Sequence, residues 1–326
     1  MNAICFKRYG APDVLEMRTL EKPTPKDDEV LVRIHAATVT PGDCEVRSFD
    51  FPLWVWVPLR LYMGILKPRR PIIGMEFSGV VEAIGKAVTR FKIGDPVFAG
   101  TGANFGTYAQ YRCQRANSAM AMKPDGISHA EAATISVGGL NALHYLRQGK
   151  IQSGDKVLIN GAAGCFGTYA IQLAKHFGAE VTGVDSTDKL EAMRLLGADH
   201  VIDYTQEDFT KNGVLYDLIL EVAGKSSYSS CLKSLNRNGR LVLANPKFLQ
   251  MLRAPLTSRF TDKKVTFAFS KDRAEDLEYV AKLMQAGTVK AVIDRSYPLE
   301  EMADAHRYVE TGAKIGQVVI EIDATA

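Results

Sequence analysis

The most constraining feature of this chain is a group of three glycines directly after a short apolar segment. Residues 156–160 read Lys-Val-Leu-Ile-Asn, and residues 161–167 read Gly-Ala-Ala-Gly-Cys-Phe-Gly. A helical pattern runs from Thr168 to Phe177, and a second apolar segment, Glu180 to Val184, ends on Asp185. Strand, tight turn, helix, strand and carboxylate form the order that a dinucleotide-binding turn requires. The sequence therefore predicts an α/β fold with a doubly wound parallel sheet.

Each glycine has its own physical role in this prediction. Gly161 allows a tight exit from the strand, Gly164 lets backbone amides approach a pyrophosphate, and Gly167 allows close packing of helix on strand. The unpaired N–H groups at the helix N-terminus would attract the anion. The spacing is G-x-x-G-x-x-G rather than G-x-G-x-x-G, so an ordinary turn between α/β elements stays the alternative. Asp185 would accept hydrogen bonds from a ribose diol, or else cap a surface helix.

Length and composition narrow the class of protein. A chain of 326 residues fits two domains, and a net charge of +3 gives no argument for binding nucleic acid. The five cysteines are odd in number and include no C-x-x-C, which favours a reducing cytoplasm and disfavours a disulfide framework. Charges among residues 1–17 argue against a secretory signal, and no apolar run reaches membrane-spanning length. We therefore expect a cytoplasmic protein.

The pattern of elements changes along the chain. Strands are predicted in the first part at Ala3–Phe6, Glu29–Ala36, Phe77–Ile84, Asp95–Ala99 and Thr107–Arg112. A helical stretch is predicted from Ser128 to about Arg147, and strands then alternate with helices, as in a parallel sheet. Strand character is also predicted at Val265–Ser270 and Gln317–Ile322.

Several ordered motifs give the chain a resemblance that covers nearly its whole length. They lie at residues 9–15 (Tyr-Gly-Ala-Pro-Asp-Val-Leu), 39–43 (Val-Thr-Pro-Gly-Asp), 74–79 (Gly-Met-Glu-Phe-Ser-Gly), 94–98 (Gly-Asp-Pro-Val-Phe) and 196–204 (Leu-Gly-Ala-Asp-His-Val-Ile-Asp-Tyr). With the glycine motif between them, the chain resembles the medium-chain dehydrogenase/reductase superfamily, in its zinc-independent quinone oxidoreductase branch. The resemblance implies a Rossmann doubly wound sheet over 124–292. It also implies a β-rich GroES-like domain over 1–123, completed by 293–326, and a homodimer paired through the strand at 265–270.

The resemblance also bears on zinc. Zinc-dependent relatives carry Cys where this chain has Thr40 and His where it has Met75. Neither a hydroxyl nor a thioether is a plausible Zn²⁺ ligand, and Glu76 alone does not make a site. We therefore expect no catalytic zinc.

Cofactor choice rests on the end of the second strand of the parallel sheet. Asp185 and Asp188 repel a 2′-phosphate and favour NAD(H). Lys189 stands where NADPH-using quinone reductases of the family often have a phosphate-binding lysine, so NADP(H) stays the alternative. The full set of predicted cofactor-binding residues is Asn141, Gly161, Ala163, Gly164, Cys165, Phe166, Gly167, Asp185, Ser186, Lys189, Val222, Ala223 and Asn245. The resemblance places Asn141, Val222, Ala223 and Asn245 near the nicotinamide.

Hydride transfer to a quinone or an activated double bond needs little from the protein beyond donors that stabilise the developing enolate. The predicted catalytic residues are Asp43, Tyr62 and Asn141, with Cys44, Glu45 and Tyr108 as further pocket candidates. A packing role for Tyr62 and a structural role for Asp43 stay open. We predict an NAD(P)H-dependent oxidoreductase that acts on hydrophobic quinones or α,β-unsaturated carbonyls. The alternatives are a zinc-free alcohol/aldehyde dehydrogenase and a nucleotide-sensing binding protein with little turnover.

Residues 48–70 form a segment longer than the family resemblance leads us to expect. It contains both tryptophans of the chain, Trp54 and Trp56, and it ends on Lys67, Arg69 and Arg70. Three hypotheses fit this composition: a lid over the substrate pocket, a helix that covers the core, or contact with a membrane surface.

Overall fold

The computed structural model describes residues 1–267 and 273–322, which belong to two compact units. The first unit comprises Met1–Val137, Asp272–Gln285 and Ile293–Ala326, and the second comprises Gly138–Lys271 and Ala286–Val292. The two compact units are defined by contacts and not by independent folding. The predicted domain boundaries at 123 and 293 therefore stay a prediction.

The described residues form fifteen strands and ten α-helices. The strands are β1 (Asn2–Phe6), β2 (Leu15–Thr19), β3 (Glu29–Val39), β4 (Glu76–Ile84), β5 (Pro96–Gly100), β6 (Tyr111–Arg115), β7 (Met120–Met122), β8 (Lys156–Asn160), β9 (Glu180–Asp185), β10 (His200–Asp203), β11 (Tyr216–Glu221), β12 (Leu235–Leu243), β13 (Lys264–Thr266), β14 (Ile293–Pro298) and β15 (Gln317–Glu321). The helices are α1 (Pro41–Ser48), α2 (Leu53–Met63), α3 (His129–Ala133), α4 (Leu140–Gln148), α5 (Gly167–His176), α6 (Leu190–Leu195), α7 (Tyr228–Lys233), α8 (Phe248–Phe260), α9 (Ala274–Gln285) and α10 (Met302–Glu310).

The second unit is built on a six-stranded parallel sheet in the order β10-β9-β8-β11-β12-β13. The strand order reverses between β8 and β11, and ligands bind outside the carboxyl ends of the strands at such a switch point. Both strands are nearly continuous apolar runs, as strands covered on both faces must be. The predicted doubly wound parallel sheet is confirmed, and the glycine turn lies at its switch point.

The first unit is β-rich, as predicted. Its large sheet has seven strands in the order β14-β15-β3-β4-β5-β7, with β6 paired to β3, and a separate hairpin joins β1 to β2. β3 is eleven residues long and pairs with β4, β6 and β15. Its inward residues, with apolar residues of β1, β4 and α10, form the main core cluster. This sheet fixes where α1 begins, directly after β3.

Two predicted elements differ from the structure. The strand predicted at Thr107–Arg112 lies instead at β6, because the amides of Thr107 and Tyr108 both donate to the Ile73 carbonyl and the ladder with β3 starts only at Tyr111. The helix predicted from Ser128 to Arg147 is interrupted by a π-helical turn at Ile135–Gly139. Inside that turn the Val137 amide donates to the buried carboxylate of Glu76. A side chain that enters the helical ladder in this way is a recognised cause of such a break.

The strand predicted at Val265–Ser270 is described only in part. β13 covers Lys264–Thr266 at one edge of the parallel sheet, and residues 268–270 lie outside the described residues.

Candidate cofactor site and substrate-side residues

The glycine turn after β8 is fixed by backbone hydrogen bonds to the neighbouring strand. The amides of Gly161 and Ala162 both donate to the Val184 carbonyl, at 3.0 and 3.1 Å. Gly161 has φ +91°, in the left-handed region that favours glycine. A Cβ on Gly167 would lie 2.3 Å from the Gly161 carbonyl oxygen. Helix α5 can therefore approach the turn this closely only with glycine at position 167.

Gly164, the middle glycine, is different. A Cβ there would meet only the Gly161 carbonyl oxygen, at an ordinary 3.4 Å, and its φ is not in the left-handed region. The protein itself therefore does not require glycine at position 164. An open backbone at this point is what the approach of a diphosphate would require. The N-cap of α5, Phe166, carries no side-chain capping bond, which leaves the end of the helix dipole open to an anion.

Asp185 ties the end of β9 to the glycine turn. One carboxylate oxygen accepts the Ala163 amide and the other accepts the Ser186 amide, both at 3.0 Å. The ammonium group of Lys189 lies 3.4 Å from the carboxylate, and both side chains are about nine-tenths buried. The Ser186 hydroxyl donates to Asp188 at 2.6 Å. The structure thus brings these predicted residues together, and Lys189 is already paired with a carboxylate.

A buried carboxylate that the sequence prediction left out of the site holds the other side of the turn. Glu221, the last residue of β11, accepts the side-chain amide of Asn160 at 2.8 Å and the Gly224 amide at 2.7 Å. Burial raises the pKa of this carboxyl group, and the Asn160 bond opposes that shift. The amides of Val222 and Ala223 both donate to the Asn160 carbonyl. A carboxylate at the end of an apolar strand was the sequence signal for this role.

The remaining predicted cofactor residues lie at the same edge of the sheet or on α4. The Asn245 side chain, after β12, donates to the Val222 carbonyl at 2.8 Å. Asn141 is half-buried on α4, one turn before Tyr145, whose ring centre lies 5.8 Å from that of Phe166. Residues four apart share a helix face, so Asn141 lies on the side of α4 that meets the turn. Cys165 is half-buried beside Phe166.

In the first unit, Asp43 serves first as a helix cap. Its carboxylate accepts the Thr40 amide at 2.9 Å and the Thr40 hydroxyl at 2.7 Å, and its own amide donates back to that hydroxyl at 3.2 Å. This is a complete capping box at the start of α1. Burial raises the pKa of Asp43 to about 6, and the Thr40 bonds oppose that shift. The second carboxylate oxygen is buried without a protein hydrogen bond.

A buried group of side chains adjoins Asp43. The Cys44 sulfur lies 3.3 Å from Nδ1 of His306 on α10, and the His306 ring meets the Tyr108 ring edge to face. Burial raises the pKa of Cys44 to about 12 and lowers that of His306 to about 3, and it also raises the pKa of Tyr108. All three groups are therefore neutral near pH 7. This arrangement gives packing and a hydrogen bond rather than a charged nucleophile.

Tyr62 lies apart from Asp43, near the end of α2. Tyr62 is 48% exposed and lines a shallow surface hollow with Met63, Pro68, Arg70 and Phe105. The Arg70 guanidinium lies 5.6 Å over the Tyr62 ring and donates to Asn104 at 3.1 Å. Asp43 is fully buried whereas Tyr62 is about half exposed, so the two predicted catalytic residues have different surroundings.

The positions that match zinc ligands do lie together. A Cβ on Gly42 would lie 2.9 Å from the Met75 methyl and 3.6 Å from the Thr40 hydroxyl. The Thr40 hydroxyl forms part of the capping box, and the Glu76 carboxylate accepts hydrogen bonds from the Thr38 hydroxyl and the Val137 amide. Within residues 1–267 and 273–322, no group of three or more His, Cys, Asp or Glu could hold a metal ion. The donor set present does not fit zinc.

Comparison with known families gives two matches. The family described as "Alcohol dehydrogenase GroES-like domain" matches residues 26–139, and the one described as "Zinc-binding dehydrogenase" matches residues 196–320. Although the second family is described as zinc-binding, the side chains of Thr40, Met75 and Glu76 in this chain do not form a zinc site.

Comparison with individual proteins extends the likeness over the whole chain. A 2-methylene-furan-3-one reductase of Solanum lycopersicum is 31% identical over 332 residues, which cover 98% of this chain and 79% of the relative. The chloroplastic NADPH-dependent alkenal/one oxidoreductase of Arabidopsis thaliana is 30% identical, again over 98% of this chain and 79% of the relative. The solved quinone oxidoreductase of Coxiella burnetii is 28% identical, with a TM-score of 0.89 and 99% of both chains covered.

Proposed function

Since this chain belongs to the medium-chain dehydrogenase/reductase superfamily, in its quinone oxidoreductase-like branch, we propose that it transfers hydride from NAD(P)H to quinones or α,β-unsaturated carbonyls without zinc. It is an oxidoreductase of this type that uses a nicotinamide cofactor. The substrate class comes from the names of its relatives, a furanone reductase, an alkenal/one oxidoreductase and a quinone oxidoreductase. The proposed zinc-free mechanism is supported by the donor set at Thr40, Met75 and Glu76.

One observation carries the cofactor part of the proposal. Gly164 is a glycine that the protein does not need for its own packing, in a turn whose other two glycines it does need. The turn that contains Gly164 lies at the switch point of the sheet, directly before α5, a ten-residue helix with no side-chain cap at its N-terminus. A diphosphate that rests on the amides of this turn explains why position 164 lacks a side chain.

The chain's own residues have limited tasks in such a reaction. Bound NAD(P)H supplies the hydride. The turn and Asp185 hold the nucleotide, while Val222, Ala223 and Asn245 line the edge of the sheet that faces the nicotinamide. Asn141 is the proposed donor that orients the substrate carbonyl. Asp43 keeps α1 in place, and Tyr62 is proposed as a wall of the substrate pocket.

For the choice of cofactor we propose a preference for NADH over NADPH. Lys189 is paired with Asp185 at 3.4 Å, and Asp188 is an exposed carboxylate beside Ser186. A 2′-phosphate would meet this carboxylate and a lysine whose charge is already balanced. The alternative, use of NADPH, is supported by the name of one relative.

A homodimer is also part of the proposal. β13 is an edge strand of the parallel sheet, and it begins the segment through which the family resemblance implies pairing with a second copy. Sedimentation velocity of the purified protein would measure the oligomeric state directly.

The decisive experiment pairs activity with a matched glycine variant. Purified protein is assayed with NADH and NADPH against a quinone, an enone and an aldehyde, before and after treatment with a zinc chelator. We expect chelator-insensitive oxidation of NADH by the quinone or the enone. Gly164→Ala should weaken NADH binding about tenfold or more in calorimetry while the thermal unfolding temperature stays unchanged, because its Cβ clashes with the ligand and not with the protein.

Each alternative function has its own outcome. Turnover confined to the aldehyde would support the zinc-free alcohol/aldehyde dehydrogenase. Tight NADH binding with no turnover on any acceptor would support the nucleotide-sensing protein. Loss of activity with the chelator that Zn²⁺ restores would contradict the zinc-free mechanism, and full NADH binding by Gly164→Ala would contradict the proposed seat of the diphosphate.

A further inference from the structure

Helix α2 carries apolar side chains on two opposite faces. On one face, Met63 is buried and Leu59 packs against the core of the first unit, as does Phe51 just before the helix. Trp56 lies on the same side, with its ring 5.7 Å from that of Phe49. Packing against the core explains why the residues on this face are apolar. The apolar residues on the other face need a separate explanation.

That other face is an apolar stripe that is exposed in the part of the chain that the structure describes. Leu53, Val57 and Leu61 follow one another at intervals of four residues and are 88%, 58% and 56% exposed. Trp54 lies beside them, and Ile65 and Leu66 extend the surface beyond the helix end. We call these six residues the outer stripe of α2. Exposed apolar surface of this extent on a soluble domain marks an interaction site.

Positive charge follows the outer stripe along the chain, whereas the exposed Asp50 lies before its other end. Lys67, Arg69 and Arg70 follow it and are exposed, and none of the three forms an ion pair with a carboxylate within the described part of the chain. Residues 51–75 contain no Asp or Glu at all. A protein partner with an apolar patch would not need this one-sided charge. An anionic surface would be attracted by it over the range of a Debye length.

We propose that the outer stripe of α2, with Lys67, Arg69 and Arg70, docks the protein on the surface of a bilayer that contains anionic lipids. The apolar side chains enter the boundary between headgroups and acyl chains, and the cations contact the headgroups. Tryptophan is enriched at that boundary, and Trp54 belongs to the outer stripe. Among the helices that the structure describes, none has the length and apolar character needed to cross a bilayer, so the contact is peripheral.

Helix α8 of the second unit offers a matched control. It also has an exposed apolar stripe, which includes Leu249, Leu252 and Leu256. It also carries positive charge, with Arg253 and Arg259 exposed on the helix, so it resembles α2 in both apolar surface and charge. Substitution of these leucines changes a comparable apolar area without touching α2.

The test uses the full chain and vesicles, with no acceptor present, so its result does not depend on the proposed catalytic function. Co-sedimentation is measured with vesicles of phosphatidylcholine alone and of phosphatidylcholine mixed with phosphatidylglycerol. We expect binding only to the anionic vesicles, weakened by salt, with a blue shift of tryptophan emission. The triple variant Lys67→Gln, Arg69→Gln, Arg70→Gln should lose about a hundredfold in affinity, at about fivefold per charge.

Two further variants separate the stripe from general effects. Leu53→Ser, Val57→Ser, Leu61→Ser should abolish vesicle binding, whereas Leu249→Ser, Leu252→Ser, Leu256→Ser should leave it unchanged. Thermal unfolding checks that each variant is folded. If a serine variant does not fold, the charge variant still tests the proposal, because it alters only exposed side chains.

Four results would overturn the proposal. The first two are equal binding to neutral and anionic vesicles, and no binding to either kind. The third is loss of vesicle binding in the α8 variant alone. The fourth is a variant of the outer stripe that alters self-association, or the KM for long-chain acceptors, while its vesicle binding is unchanged.

Discussion

The two units hold their candidate residues in different ways. In the second unit, Asp185 accepts two backbone amides, contacts a lysine ammonium group and lies at the end of a strand in the parallel sheet. In the first unit, Asp43 is buried and accepts hydrogen bonds from Thr40, three residues earlier in the chain. Tyr62 is exposed on a helix in other surroundings. The nucleotide side is thus a continuous hydrogen-bonded frame, whereas the substrate side is a set of separate side chains.

This difference predicts which substitutions should have large effects on stability or on cofactor binding. Cofactor seating depends on backbone geometry, which is sensitive to a single added methyl group. Substrate handling depends on side chains that can be exchanged with smaller effects. The predictions below test that contrast, from the largest expected effect to the smallest.

Gly167→Ala should have the largest effect. Its Cβ would lie 2.3 Å from the Gly161 carbonyl oxygen and 2.6 Å from Ala162 backbone atoms, and no side-chain rotation relieves a clash with backbone. We expect the free energy of unfolding to fall by about 3 kcal/mol, measured by urea denaturation. Gly164→Ala is the control, with no loss of stability. Equal stability of both variants would break the distinction between the packing glycine and the ligand-facing glycine.

Asp43→Asn should change how stability depends on pH. Burial raises the pKa of Asp43 to about 6, so the folded state holds a proton that the unfolded state releases above its ordinary pKa of 3.8. Stability contributed by this group is therefore present below pH 4 and is lost as the pH rises to about 6. Relative to Asp43→Asn, the natural protein should lose about 2 kcal/mol between pH 4 and pH 7.

The measurement for Asp43 is a difference between two denaturation series, which cancels the titration of all other groups. Asparagine retains an oxygen that can accept the Thr40 bonds, so α1 should keep its cap. Parallel stability curves for the two proteins would show that the pKa of Asp43 is the same in the folded and unfolded states, which would contradict the effect of burial.

Asp185→Ser should alter the choice of cofactor. Without its carboxylate partner, Lys189 becomes available to a 2′-phosphate, and we expect the ratio of kcat/KM for NADPH over NADH to rise about tenfold, which corresponds to about 1.4 kcal/mol. Adding Lys189→Met should remove the gain. An unchanged ratio would show that this end of β9 does not contact the adenosine ribose.

Tyr62→Phe should have the smallest effect. Arg70 lies over the Tyr62 ring, which phenylalanine retains, so removal of the hydroxyl should leave the hollow intact. We expect kcat and KM for a quinone acceptor to change by less than about twofold. A large fall in kcat with unchanged KM would instead identify Tyr62 as the proton donor and would give the first unit a catalytic residue.

Much of the second unit could be predicted from the sequence because its signals are local. The glycines, the apolar strands and Asp185 lie within thirty residues, and each has one main structural use. The capping role left open for Asp43 is equally local, since Thr40 is three residues away. The contact of Glu221 with Asn160 was not predicted, because it joins residues 61 apart that meet only when β8 and β11 pair.

Sequence alone determined the fold class, the position of the glycine turn after β8 and the lack of zinc-ligating side chains at Thr40 and Met75, since periodicity, glycine and ligand chemistry are properties of residues and near neighbours. The tertiary structure decided which face of α2 is covered, that Cys44 meets His306 262 positions away, and that Tyr62 and Asp43 lie apart. Those outcomes depend on how distant segments pack, and packing is set by the whole chain rather than by any stretch of it.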